Sequence, residues 1–573
     1  MRRLLVVLAL GCGLAGCSGV PSSSAPEVVR TLARAAAPSP ASTITPVPNS
    51  DPRSIVNDFL AANLGEDARH TAARAFLTQD ARNKWTDTTV TVVDDFQVSV
   101  ADPVSRSVTV NASQLGSVDQ NGLFRPVLQG EGATPVTFTF GMQQVDGQWR
   151  ISQLANGLLV NRQGFSSTYV ARSLYFFNQA QQRLVPDLRY SALTDQPLCN
   201  WLLAQLADGP RAELQSAVTS DFPAQNSRAG VTFNRSGAVV VDLPGISQQD
   251  RQTVDRLAAQ LAFTFQLDPS TLVRITDGAT AVGVRGSVGP FNAGQFSSFS
   301  GGLAQPAFYY VHNGGIVDDS GAPLAGPAGS ASYHLASFAI AAPRGAGPLL
   351  VAGATGSTAG NGLFVGDVVK GLSPVGLPPG QLSRPVWAPG VAETWIGDGA
   401  LLLRVAGAVV STVSTSGRAG AGGGRVSAVS FSPDGVRIAL VISPGDGTSQ
   451  VWLGSVVRSG QQVRIDGLQP ITPPGLVLSD VAWNDAKTLY TTGSLAARPA
   501  AFGIWSVQVD GSSLNSRSVA GLPNSAPDAI TAAANSVPWV SASTALFVQR
   551  NGTWASPGAL SETTYGTAPS YLQ

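Results

Sequence analysis

This chain predicts a multi-domain, mainly β protein that ends in a β-propeller, on three observations. Glycine (62) and proline (38) are abundant while charged residues make up only 13%, against about 25% in ordinary globular chains. Runs with two-residue alternation dominate from the first ninety residues onward. Related units with a period near 50 residues recur through the C-terminal half, the mark of stacked four-stranded blades. At 573 residues the length allows three or four domains of about 150 residues, or fewer with a propeller.

The chain opens with Met1-Arg2-Arg3, then apolar and small residues over 4–16. A positive start before such a run is the layout of a signal peptide, assigned to residues 1–16. The run is too short to span a bilayer, which needs about 20 apolar residues. Leu14-Ala15-Gly16-Cys17 resembles a bacterial lipobox, in which the cysteine takes a diacylglycerol and becomes the new N-terminus. A thioether anchor needs a thiol at Cys17, and the small Ala15 and Gly16 let a peptidase reach the backbone. Acyl chains such as palmitate bring about 0.8 kcal/mol per buried CH₂, so two or three of them hold effectively permanently. Residues 17–50, with "PSPASTITPVPNS", carry no aromatics and read as a lipidated tether. As a flexible chain it would span about 30 Å, at roughly 5–6 Å × √n.

Formal net charge is +0, and losing Arg2 and Arg3 with the signal leaves a slightly acidic chain. That offers no basic face for nucleic acid. Lysine is confined to Lys84, Lys370 and Lys487. Cys12 leaves with the signal and Cys17 is acylated, so Cys199 is the remaining thiol and no intrachain disulfide forms. Its apolar helical setting, "PLCNWLLAQL", suits a small core residue better than a nucleophile.

The first folded domain is read over 51–165. Asp51 or Ser50 caps a helix that begins at Pro52, with Ile55, Val56, Phe59 and Leu60 on one face. A second helix is expected over 68–77, then "TQDARNKW". Strands follow at "TVTVV", "FQVSV", "RSVTVNA", "TPVTFTFGMQQV" and "QWRISQL", the last two joined by an Asp146-Gly147 turn. Helices before a curved antiparallel sheet resemble an NTF2-like α+β cone. Paired catalytic acids and bases are not evident on its strands, so it reads as structural or partner-binding.

The second domain is read over 166–290. It runs as a strand pair in "SLYFFNQAQQRLVPDLR", then a helix closed by Asp208-Gly209-Pro210. A hairpin in "GVTFNRSGAVVVDLPG", a second amphipathic helix into "LAFTF" and the strand "LVRITDG" complete it. This series resembles the GerMN α+β domain of sporulation and cell-envelope proteins, for which the resemblance implies no catalytic residues. Asp208, Asp242 and Asp277 read as turn formers.

The propeller is read over 305–573. Its best unit is "RVSAVSFSPDGVRIALVISPGDGTSQVWLGSVV", with kin in "LSRPVWAPGVAETWIGDGALLLRV" and "LSDVAWNDAKTLYTTG". Trp387, Phe431 and Trp483 hold equivalent places. Weaker copies bring the blades to five, or six if "AFYYVHNGGIVDD" completes a closing blade. Candidate inner strands "AVSF" and "VAWN" are largely apolar.

Chemistry-bearing patterns are sparse. His70, His312 and His334 come from separate elements, with no metal-ligand spacing. The glycine run at 417–425 has no lysine for a phosphate loop and reads as a connection between blades. Asp434-Gly435 suits a hairpin turn better than a calcium loop. No catalytic, cofactor or metal residue is assigned; the one site residue is Cys17, for lipidation.

The order of parts, with "LAGCSGVPSSSAPE", "LLAQLADGP" and "SFSPDG", resembles the actinobacterial lipoprotein LpqB family. The resemblance implies a non-enzymatic, extracytoplasmic lipoprotein anchored in the cell membrane. It further implies association with the extracytoplasmic domain of an MtrB-like sensor histidine kinase, modulating an MtrAB two-component system in cell-wall homeostasis and division. The residues themselves support only an anchored, multi-domain interaction protein. The alternative is an envelope glycan- or peptide-binding protein, or a hydrolase, using the propeller funnel. Intact-mass measurement is expected to give a mature chain starting at Cys17 with added acyl mass. Cys17→Ser is expected to yield soluble protein or unprocessed precursor; an unacylated wild-type N-terminus would contradict the lipobox reading.

Overall fold

The computed structural model describes residues 44–65, 69–102, 106–128, 134–223, 228–301, 305–343, 345–356, 362–377, 380–417, 424–557 and 565–573. In the N-terminal module Asp51 is the cap: its side chain accepts from the amides of Arg53 at 2.9 Å and Ser54 at 3.1 Å. Pro52 follows at the first position, where no amide donor is needed. The helix Pro52–Ala62 buries Ile55, Val56, Phe59 and Leu60, and Phe59 packs edge-on to Trp85 and Phe140. The helix expected over 68–77 is shorter, Thr71–Arg74. His70 stands before it in the left-handed region at φ 44°, held there by Nδ1 against Asp87 Oδ2 at 2.9 Å. Helicity cannot run through such a residue.

The sheet behind these helices runs in the order Gln148–Gln153, Thr134–Val145, Ser107–Val118, Val90–Asp102, Leu158–Asn161. "TVTVV" and "FQVSV" are one strand rather than two, with register shifts between Val92 and Phe96 that take up the two aspartates between the runs. Asp146 and Gly147, both at positive φ, close the hairpin as expected.

The middle module follows its expected elements. Strand Val170–Asn178 pairs with Leu184–Ser191. Helix Asp195–Asp208 ends at Gly209 with φ +92°, a conformation other residues resist. Cys199 is fully buried on that helix, where burial pushes its thiol up to about 11, as suits a core residue. Strand Val239–Asp242 lies parallel to Val273–Asp277, and the crossover between them is helix Arg251–Thr264, capped by Asp250. Asp242 accepts from Gly278 N and Thr276 Oγ1, and Asp277 from Gly245 N and Ser247 N. Both aspartates fasten turns.

Among the described residues the propeller has six blades. Innermost strands are Thr567–Tyr571, Leu335–Ala341, Val386–Trp387, Arg425–Phe431, Leu476–Trp483 and Ala529–Thr531, each touching the next around the ring. Strands Phe308–His312 and Gly315–Asp318, from "AFYYVHNGGIVDD", pair with Thr567–Tyr571. One blade is thus assembled from both ends of the domain, and this settles the count at six. The repeated aromatics do one job. Trp387 Nε1 donates to Ala339 O at 3.2 Å and Trp483 Nε1 to Ser430 O at 3.1 Å, each reaching the inner strand of the preceding blade. Phe431 packs edge-on to Trp395 of its preceding blade at 5.1 Å. Strand Ser414–Gly417 joins the neighbouring blade as a fifth strand beside Gln462–Pro470; residues 418–423 of the glycine run lie outside the described residues.

Glu393 ties two blades together. Its carboxylate accepts from Arg404 at 2.6 Å within its own blade and from Arg458 at 2.7 Å in the next. Burial alone would raise its pKa, but the two guanidinium bonds outweigh it and hold the group below the ordinary value of 4.5. A depressed carboxylate stabilises the fold above its unfolded pKa and loses that stabilisation as pH falls through the folded one. Glu393→Gln is therefore expected to lower stability at pH 7 by about 2 kcal/mol. In denaturant melts the deficit should shrink below about pH 4.5; a pH-independent deficit would assign the loss to packing instead.

Candidate functional site

Cys17 lies outside the described residues. The histidines stand apart: His70 against Asp87, His312 Nδ1 against Tyr565 O at 2.9 Å, and His334 at a left-handed turn position. Among the described residues no group of three or more His, Cys, Asp or Glu side chains is placed to hold a metal ion. Asp434 serves its turn: Oδ1 accepts from Ser432 Oγ at 2.6 Å and Val436 N at 2.9 Å, and Gly435 follows at φ +74°.

Two arrangements do bring distant residues together. The first lies on the propeller axis. Arg384, just before the inner strand Val386–Trp387, donates to Pro569 O and Ile530 O, each at 3.1 Å. It also pairs with Asp480 Oδ2 at 2.9 Å. These partners sit on three other inner strands, so the side chain crosses the space that the blades enclose. Asp480 in turn accepts from Ile530 N at 2.9 Å. Burial raises its pKa against the opposing pull of Arg384. The stretches "AVSF" and "VAWN" are apolar as expected; the charges lie just outside them, at Asp480 and at Arg384 before its own strand. The signal was present in the repeats: in "LSRPVW" and "LSDVAW", Arg384 and Asp480 both stand three residues before the aligned tryptophan.

The second arrangement is the junction of the three modules, and sequence reading missed it. Every residue of strand Leu184–Ser191 is buried. Asp187 accepts from Arg211 Nε at 2.7 Å, Arg211 N at 2.9 Å and Arg189 Nη2 at 2.8 Å. Burial pulls the Arg189 guanidinium below its ordinary pKa; for Arg211 the pull of Asp187 and Asp510 exceeds that of burial and raises it. Beside them the fully buried Arg437 of the propeller donates to Pro186 O, and Leu188 enters the propeller core with Ile471, Leu453 and Val509. Tyr190 meets the propeller through Ser512 Oγ at 2.7 Å and the N-terminal module through its amide, which donates to Gly122 O at 2.8 Å. Gly122, at φ +73°, must be glycine, because a Cβ would stand 2.9 Å from the Trp201 ring. The cavity left here, about 20 Å³, has room for about one water molecule and none for a ligand. Asp187→Asn keeps the shape but leaves two buried guanidinium groups short of charge, an expected loss of about 3–5 kcal/mol. Calorimetry checks this; an unchanged transition would make the bridge dispensable.

Comparison with known proteins follows the same division. Residues 45–166 match the family described as lipoprotein LpqB, N-terminal domain, residues 173–279 match Germane (sporulation and spore germination), and 313–571 match the lipoprotein LpqB beta-propeller domain. "Lipoprotein LpqB" of Mycolicibacterium smegmatis is 31% identical over 505 residues, 83% of this chain and 82% of that protein. Proteins of the same name from Rhodococcus jostii and Mycobacterium tuberculosis are 27% and 28% identical, covering 89% of this chain and 87% and 89% of theirs. Among solved structures, a puromycin hydrolase mutant aligns at a TM-score of 0.26 and 14% identity, over 40% of this chain and 45% of that one, too low to carry anything across. With that identity over four-fifths of both chains, and with matches to both LpqB domains, the chain belongs to the lipoprotein LpqB family.

Proposed function

We propose that this lipoprotein is a non-enzymatic accessory of an MtrB-like sensor histidine kinase. It is held at the extracytoplasmic face of the cell membrane by lipid on Cys17, and modulates an MtrAB-like two-component system in envelope homeostasis and division. The observation that supports this reading most is the junction. Residues 45–573 pack as one unit around a buried strand shared by all three modules, so a contact made on one module is borne by the others. Such a body suits a scaffold that presents fixed faces to a neighbour. The functional domains are taken as 51–165, 166–290 and 305–573, and the last two offer the larger surface for the kinase.

The funnel-binding alternative is weakened by Arg384 and Asp480, which occupy the axis that a glycan or peptide would have to enter. Among the described residues no helix is long and apolar enough to cross a membrane. Two partners in one membrane meet at a high effective concentration, so a weak interface is enough.

Co-reconstitution of the lipidated protein with the kinase in vesicles is expected to change autophosphorylation, and the Cys17→Ser form to do so less. Unchanged kinase output, together with tight binding or hydrolysis of a wall fragment by the propeller, would replace this reading with the funnel alternative.

A further inference from the structure

Between helix Arg251–Thr264 and the turn Ala293–Phe299 lies an open cleft of about 390 Å³. That is within the range of small-molecule sites, roughly 300–1,000 Å³. Its apolar lining is Phe296, fully buried, and Phe299. Three arginines but one carboxylate, Asp255, line the same space.

The arginines are not equivalent. Arg256 is already spent on Asp221, with Nε and Nη2 at 2.8 and 2.9 Å from its two oxygens. Arg285 is positioned without being neutralised. Its backbone amide donates to Asp255 Oδ1 at 2.7 Å, its Nη1 donates to Gln295 O, and its guanidinium lies 5.5 Å from the Phe296 ring centroid. Arg285 holds this place from a left-handed backbone at φ 49°, a conformation that costs energy for any residue with a Cβ. Arg251 stands exposed at the first turn of the helix, where the helix dipole is also positive. Among the described residues, neither Arg251 nor Arg285 has an ion pair with a carboxylate side chain.

Two guanidinium groups and the half-buried Phe299 ring on one cleft match one ligand chemistry. Guanidinium forks pair with carboxylate or phosphate through two parallel bonds, and a partly exposed ring such as Phe299 accepts a flat or aliphatic body. We infer that this cleft binds a small oxyanion-bearing ligand. Its carboxylate or phosphate meets Arg251 and Arg285, its apolar part lies on Phe299, and the Gln252 amide serves a neutral polar group between them. The inference stands on the cleft alone and does not depend on the kinase reading; binding, not kinase output, is its readout.

Isothermal titration of the detergent-solubilised full chain with N-acetylphenylalanine, its amide and phenyl phosphate tests it. The acid, the phosphate ester or both should bind, and the uncharged amide should bind at least about tenfold more weakly than the better anion. The comparison of the two anions tells which oxyanion the site takes. Raising salt should weaken the anion, since the rim is open to solvent. Arg251→Gln should cut its affinity by about fivefold or more with an unchanged melting temperature, because the side chain is exposed. Arg285→Gln should do the same in a chain shown by its melt to be folded. Equal binding of acid and amide, no binding of either anion, or full affinity in the folded Arg251→Gln form would overturn the inference.

Discussion

A buried carboxylate, Asp187, sets the terms for the whole folded body. Desolvating it costs several kcal/mol unless charge and hydrogen bonds are returned, and here they come from Arg211 and Arg189. Those partners hold strand Leu184–Ser191 in one position. On that strand Leu188 belongs to the propeller core and Tyr190 to contacts with the N-terminal module and the 510–512 turn. A register slip by one residue would turn Asp187 toward the apolar core and Leu188 toward the guanidinium groups. The pair therefore contributes less to net stability than to singling out one arrangement of the three modules.

The propeller solves a related problem with its repeats. Each blade buries its face chiefly against its neighbours, so the ring depends on being closed. The strand Thr567–Tyr571 closes it by completing a blade begun some 250 residues earlier. Tryptophans at equivalent positions donate backward to the preceding blade's inner strand, which repeats one joint at two places in the ring. Arg384 adds a contact that no neighbour-to-neighbour joint provides, since it reaches inner strands across the axis. The result is a charge pair set across the centre of the ring.

Much of the local structure was legible because its causes act over a few residues. Asp51 and Pro52 start a helix, Gly209 ends one, Asp146-Gly147 turns a hairpin, and Cys199 sits among leucines: each is decided by near neighbours and by alternation of apolar positions. His70 escaped the reading because its partner Asp87 is seventeen residues away, and the pair overrides a helical pattern. Arg384 and Asp480 carried a signal in the aligned repeats, yet only closure of the ring makes that level point into a shared space.

By itself, then, the sequence determined the mainly β class, the order of three modules, the repeat that makes blades, and the turn-forming roles of Asp242, Asp277 and Asp434. It did so because caps, turns and periodicity are short-range. The tertiary structure alone decided that the blades number six, that Arg384 bridges to Asp480, and that Asp187 meets Arg211 beneath Arg437. These depend on which buried charges can find partners once distant strands are brought within about 3 Å, a condition that no local stretch of chain can express.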